Sequence, residues 1–396
     1  MKTSATLSGL ASLLAFLPVT LAGFNSGSST NVAVYWGQNS YGQGTGSLAQ
    51  QRLSYYCSNT NVDPQPQLRQ RRQDIAECQT TYGKTILLSV GGATYTEGGF
   101  SSSAAAVTAA NNIWSIFGPA TSSSVPRPFG NSVIDGFDFD FESTVSNMPA
   151  FGNQLRSLMT ASTSSTGKNY YLTAAPQCPY PDAADGPMLA GAVSFDAVFV
   201  QFYNNYCGVQ SYVAGSSSQN NFNFATWDTW AKTVSLNPNV KVFLGFPANT
   251  GGGAGYTTGS ALAAVIAYSK SFSSFGGAMM WDMSQAYANS GFLAMVKSDL
   301  GAPPATTIAT TMTTVTTKPA GSTTTTAKPT TTTGGAAPTS TYVQEYDQCA
   351  GIGYTGSTVC QPPYVCTYNS DYYSSCPRAT MVDDWGYAAL EFRDLS

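Results

Sequence analysis

The stretch Ile134 to Ser143, IDGFDFDFES, sets Asp138, Asp140 and Glu142 at alternate positions, with Phe137, Phe139 and Phe141 between them. Alternate residues of a strand share a face, so this spacing predicts three carboxylates on one side and three phenylalanines on the other. Carboxylates crowded into a low-dielectric column cannot all ionise; they share protons, and one stays an acid near neutral pH. A donor of that kind is what cleavage of a glycosidic bond requires. Two other uses fit the same column, a solvated face of an edge strand and a site for a hard metal ion. The apolar opposite face favours a strand buried on both sides.

Composition narrows the chemistry further. The 396 residues include no histidine, which removes Ser-His-Asp and Cys-His catalysis and His-ligated metal sites. Carboxylates and tyrosines remain as acid and base groups. A net charge of −4 without a basic stripe argues against nucleic acid.

The elements that must position the acidic strand can be read as seven β-branched or aromatic runs, at residues 31 to 36, 85 to 90, 133 to 141, 170 to 175, 195 to 203, 240 to 246 and 276 to 281. Helix-length segments separate them, which predicts an α/β fold, a (β/α)8 barrel over residues 23–301. Active residues of such barrels sit at the C-terminal strand ends, where Glu142 falls. The second strand is missing or truncated: 48 residues separate Trp36 from Thr85, and their middle, NVDPQPQLRQRRQ, is polar and broken by proline. It reads as a loop exposing Arg69, Arg71 and Arg72. A barrel short of one strand exposes two sheet edges and changes its shear.

Residues 1–22 are expected to be a signal peptide, with Lys2, an apolar stretch from Leu7 to Leu21 and small residues at Thr20-Leu21-Ala22. The protein is therefore expected to be secreted, without a membrane span, and monomeric by default. Residues 302–341 are rich in Thr and Pro and predict an extended, O-glycosylated linker. The eight cysteines divide into Cys57, Cys78, Cys178 and Cys207 before the linker and Cys349, Cys360, Cys366 and Cys376 after it, an even count that suggests disulfides. The second group lies in a small disulfide-rich β module at 342–377. In the tail, 378–396, the run MVDDWGYAALEFRDLS is expected to form a short helix and has no assigned role.

The motif DGFDFDFE resembles the DxxDxDxE signature of glycoside hydrolase family 18, and KTILLSVGGATY, residues 84 to 95, resembles that family's SxGG strand. YWGQN at 35 to 39, QFYNN at 201 to 205 and MMWD at 279 to 282 resemble the plant and fungal class III chitinases. The resemblance implies an endochitinase acting on β-1,4 bonds of chitin by a retaining, substrate-assisted mechanism. Glu142 would protonate the glycosidic oxygen, Asp140 would orient the substrate acetamide, Asp138 would exchange a proton with Asp140, and Tyr203 would hydrogen-bond the acetamide oxygen. Tyr35, Gln201 and Asn204 would bind substrate, Trp281 would floor the subsite, and Ser89, Gly91 and Gly92 would support packing beside the acidic strand. No metal or organic cofactor is implied.

The family's pattern carries a second strand and two further cysteines between the stretches matching SYYCSNTNVD and DIAECQTTYGKT, and this sequence lacks both. By analogy Cys57 pairs with Cys78 and Cys178 with Cys207. The 346 to 376 segment resembles the fungal family 1 carbohydrate-binding module, implying pairs Cys349 with Cys366 and Cys360 with Cys376. Its binding strip for chitin or cellulose would be Tyr346, Tyr372 and Tyr373. The rival readings are a non-catalytic wall-binding protein and an endo-β-N-acetylglucosaminidase. Retention of Asp138, Asp140, Glu142 and Tyr203 speaks against the first, and the missing strand speaks for it.

Overall fold

The computed structural model describes residues 23–42, 46–58, 68–120, 122, 124–216, 218–301, 348–350, 357–360, 366–370, 373–375 and 391–395. The segments expected to be a signal peptide and a linker, and Tyr346 and Tyr372, lie outside these residues. The strands in chain order are β1 (Asn31–Trp36), β2 (Thr85–Gly92), β3 (Gly136–Phe141), β4 (Tyr171–Ala174), β5 (Ala197–Gln201), β6 (Lys241–Pro247), β7 (Phe275–Trp281), β8 (Gln348–Ala350), β9 (Thr367–Ser370), β10 (Tyr373–Ser375) and β11 (Glu391–Leu395). The helices are α1 (Leu53–Ser58), α2 (Leu68–Thr80), α3 (Ser103–Phe117), α4 (Met148–Thr166), α5 (Gly186–Leu189), α6 (Phe224–Thr233), α7 (Gly259–Ser269), α8 (Met283–Ala288) and α9 (Phe292–Gly301). No helix among the described residues is long and apolar enough to cross a membrane.

Seven strands match the seven apolar runs, and together with β11 they form a closed barrel in the order β1-β11-β2-β3-β4-β5-β6-β7. The neighbours from β2 to β7, and β7 with β1, are parallel. The eighth position corrects two expectations. No described residue between β1 and β2 in the chain forms a strand; residues 391–395 of the tail run antiparallel between these two strands, so the tail supplies a strand and the barrel has no open edge there. The segment expected to expose Arg69, Arg71 and Arg72 as a loop is helical instead, since α2 begins at Leu68. The Cys57–Cys78 disulfide ties α1 to α2, and Arg52, just ahead of α1, pairs with Asp74 of α2. A second disulfide joins Cys178 and Cys207.

The alternation in IDGFDFDFES becomes two layers. Phe137, Phe139 and Phe141 join the outer core between sheet and helices, where Phe139 packs on Phe151 of α4 at 5.6 Å and Phe137 meets Trp114 of α3 at 6.4 Å between ring centroids. The helix start at α3 is fixed by Ser102, whose hydroxyl accepts the Ala105 N–H. Inside the barrel a separate cluster gathers Phe24, Ala33, Tyr35, Phe199, Phe243 and Met279 with Tyr203 and Trp281.

The remaining unit spans residues 308 to 387, and its described strands form a three-stranded antiparallel sheet in the order β8-β10-β9. Cys360 and Cys366 are each disulfide-bonded. Tyr373 opens β10.

Candidate active site

Three adjacent strands place polar residues level with one another. Ser89 of β2 lies in register with Asp138 of β3, and Asp138 with Thr173 of β4. Asp138 is fully buried. Ser89 Oγ donates to its Oδ2 at 2.6 Å, Thr173 Oγ1 donates to its Oδ1 at 2.6 Å, and the Tyr35 hydroxyl donates to Oδ2 at 3.4 Å. Burial pushes the Asp138 carboxyl up to about 7, against the opposing pull of the Ser89 and Thr173 hydrogen bonds. It therefore holds a proton over the acidic range.

One step toward the strand end, Asp140 is buried and accepts from Gln201 Nε2 at 3.0 Å. The Gln201 amide is held by a second bond, to the Ala175 carbonyl at 2.9 Å. The backbone beside Asp140 explains SxGG. Gly91 adopts φ 114°, and a Cβ there would lie 2.4 Å from the Asp140 carbonyl oxygen, so only glycine lets β2 approach β3 this closely.

Glu142 follows the last residue of β3 and is half-buried at the barrel mouth. Burial raises its carboxyl above the usual range; the amides of Gln201 and Gln177 oppose this, and the charge of Asp182 adds to it. Gln177 Nε2 reaches Glu142 Oε2 at 3.4 Å, and Asn205 Nδ2 holds Gln177 Oε1 at 3.2 Å. Tyr203, just beyond β5, is 5% exposed and belongs to the inner cluster. Trp281 ends β7 with its ring 5.2 Å from that of Tyr35. The next residue, Asp282, caps α8 by accepting the Gln285 N–H at 3.0 Å.

The structure thus brings Asp138, Asp140, Glu142, Tyr35, Gln201, Tyr203 and Trp281 to one end and the interior of one barrel. Asn204 is placed differently from its neighbours. It is exposed at φ 57°, and its Oδ1 accepts the Ala254 N–H at 2.7 Å, so the side chain braces the loop after β6. Asn205 is the asparagine linked to Glu142.

Sequence reading passes over Thr173, Gln177, Asn205, Asp182 and Asp185. Thr173 carries a usable signal, a lone polar residue in an apolar strand at the register of Asp138. The two aspartates carry none, because they act from the loop after β4. Asp182 accepts the N–H groups of Gln177 at 3.0 Å, Ala184 at 2.9 Å and Asp185 at 2.6 Å, which fixes the loop that carries Gln177. Asp185 is fully buried, and neither carboxyl oxygen has a hydrogen-bond partner. Burial, with the charges of Asp182, Asp138 and Glu142, holds it well above the usual carboxylate range.

Comparison with known proteins agrees with this geometry. Residues 31–258 match glycosyl hydrolases family 18, and residues 345–373 match the fungal cellulose binding domain. The chain is 49% identical to Endochitinase 33 of Trichoderma harzianum over 327 residues, covering 74% of this chain and 99% of the relative. It is 50% identical to a class III chitinase of Arthroderma benhamiae over 305 residues, covering 73% and 91%. Since 74% of 396 residues is about 293, about 34 of the 327 positions aligned with Endochitinase 33 have no counterpart here, roughly one βα unit. Among solved structures, the ICChI chitinase of Ipomoea carnea matches with a TM-score of 0.52 at 25% identity, covering 68% of this chain and 99% of that one. A xylanase-A-amylase inhibitor protein, XAIP-III, matches with a TM-score of 0.53 at 30% identity, covering 68% and 98%. With more than half its length matched and the acidic strand at the centre of its barrel, the chain belongs to glycosyl hydrolases family 18.

Proposed function

We propose that this chain is a secreted endochitinase that hydrolyses internal β-1,4 bonds of chitin with retention of anomeric configuration, held on insoluble chitin or cellulose by the module after the linker. The observation that carries the reading is the graded burial of one strand face, from a fully buried Asp138 whose carboxyl is pushed up to about 7 to a half-buried Glu142 at the mouth. The names of the two relatives at about half identity support chitin as substrate.

In this mechanism the Glu142 carboxyl gives its proton to the glycosidic oxygen as the bond to the anomeric carbon breaks. The substrate's acetamido carbonyl attacks that carbon from the opposite side and closes an oxazolinium ring, the substrate-assisted variant of retaining hydrolysis. Asp140, relieved of charge by the proton of Asp138, accepts from the acetamide N–H. Tyr203 donates to the acetamide oxygen, and Trp281 lies beneath the sugar. The Glu142 carboxylate then takes a proton from water, which opens the ring and restores the acid.

The experiment is release of a fluorogenic group from an N,N'-diacetylchitobioside by the full chain beside Glu142→Gln. Loss of a general acid costs about 10² to 10⁴-fold, and that loss is expected with binding to insoluble chitin unchanged. An inactive wild-type chain that still binds chitin would instead favour a binding protein. Release of intact N-glycans in preference to chitin oligomers would redirect the reading to an endo-β-N-acetylglucosaminidase.

A further inference from the structure

Between β1 and β2 in the chain no described residue forms a strand, and residues 391–395 occupy the position between these two strands in the barrel. We infer that this strand is a working part of the hydrolase barrel, which positions Tyr35 and Ser89 on Asp138, and that the segment bearing the carbohydrate-binding module is an insertion tied to the barrel at both ends. The hydrolytic half of this inference rests on the function proposed above; the structural half does not.

The register carries it. On one side Ala33, Val34, Tyr35 and Trp36 of β1 pair with Leu395, Asp394, Arg393 and Phe392. On the other, Thr85 to Ser89 of β2 pair with Leu395 back to Glu391. Five residues therefore bridge two strands whose own residues are buried throughout. The facing edges of β1 and β2 lie between the inner cluster and the helix layer, where backbone N–H and C=O groups must find protein partners. Without residues 391–395 those edges are orphaned, or β1 and β2 close on one another by one strand spacing, about 4.8 Å. Either change moves the two strands that deliver donors to Asp138 Oδ2, Tyr35 from β1 and Ser89 from β2. The Tyr35 position pairs with Arg393, and the Ser89 position with Glu391, so both donors sit on strands directly abutting β11.

The chain order has a second result. The unit spanning residues 308 to 387 falls between α9 and β11, both of which belong to the barrel unit. A single cut between α9 and the module leaves the module attached through β11, by its pairing with β1 and β2.

The test compares the full chain with Arg393→Pro, with a chain ending at Tyr387 and with a control, Ala379→Pro, ahead of the strand. Proline at 393 removes a ladder N–H from a strand flanked on both sides. Amide hydrogen exchange is read over residues 31–36, 85–92 and 391–395, and chitobioside hydrolysis is read as a pH profile. The full chain and Ala379→Pro are expected to protect all three segments. Arg393→Pro is expected to expose 391–395 and the facing edges of β1 and β2, to lose at least tenfold in kcat/KM, and to shift its pH–rate profile as Asp138 loses donors. Adding a peptide of residues 388–396 to the shortened chain is expected to restore protection of β1 and β2. After proteolysis within 302–341, the module fragment is expected to co-elute with the barrel under native conditions and to separate in Arg393→Pro. Free-peptide exchange of 391–395 in the full chain, or full protection of β1 and β2 in the chain ending at Tyr387, would overturn the inference. Because exchange is read without substrate, an inactive full chain would sink the proposed function and leave the strand decided on its own terms.

Discussion

At the scale of single residues, the site depends on burial more than on charge pairing. Asp138 and Asp185 are both fully buried, and desolvation is the largest cause of the rise in each carboxyl. A native carboxyl that binds its proton more tightly than the unfolded chain adds stability below the unfolded value and loses it as pH climbs through the folded one. The folded barrel should therefore weaken from about pH 4 upward, for Asp138 until about pH 7. Asp185 differs from Asp138 in having no hydrogen-bond partner, so an uncharged amide of the same size removes the charging cost at that position. Asp185→Asn is expected to flatten the fall in thermal midpoint with rising pH, leaving the midpoint at pH 4 nearly unchanged. Thermal unfolding followed across pH 4 to 9 checks this, and an equally steep fall in the variant would mean that Asp185 ionises freely in the native state.

At the scale of elements, β2 and β3 are the pair on which the column is built. A side chain at Gly91 meets the Asp140 carbonyl while forcing an L residue into φ 114°. Gly91→Ala is expected to cost about 2–6 kcal/mol of stability, summing backbone strain and a forced shift of packed strands. Chemical denaturation measures that cost, and hydrolysis should fall further than the loss of folded protein explains. The alternation of IDGFDFDFES makes this strand legible from its residues alone, because period-two spacing of acids has few other uses in an apolar run. Seven strands are visible for the same reason. The strand at 391–395 is not, since five residues of mixed polarity carry little intrinsic preference and acquire strand structure from the slot they enter. The loop after β4 is also hidden: Gln177, Asp182 and Asp185 are joined by backbone N–H bonds and long-range proximity, neither of which leaves a periodic trace. Asn204 and Asn205 are adjacent in QFYNN, and only the turn at φ 57° decides which of them reaches Gln177, the partner of Glu142.

At the scale of the whole molecule, the function proposed above divides the work of attacking a solid between a catalytic barrel and a binding module. Removing residues 342–377, with the linker and β11 kept, is expected to leave chitobioside hydrolysis within about twofold while adsorption to insoluble chitin or cellulose falls by tenfold or more. Pull-down on the solid and turnover of the soluble substrate by the same preparation separate the two. The path of the chain also fixes when the barrel can be completed. Seven strands are made by Trp281, yet the strand between β1 and β2 is not available until Leu395 has been joined, about 90 residues after α9. At synthesis rates of about 5–20 residues per second, an open sheet with two unsatisfied edges waits for about 5–20 s. During that wait the edges of β1 and β2 lack the strand that pairs with both in the finished barrel, and the nascent chain is exposed to wrong strand partners for as long as the module takes to be made.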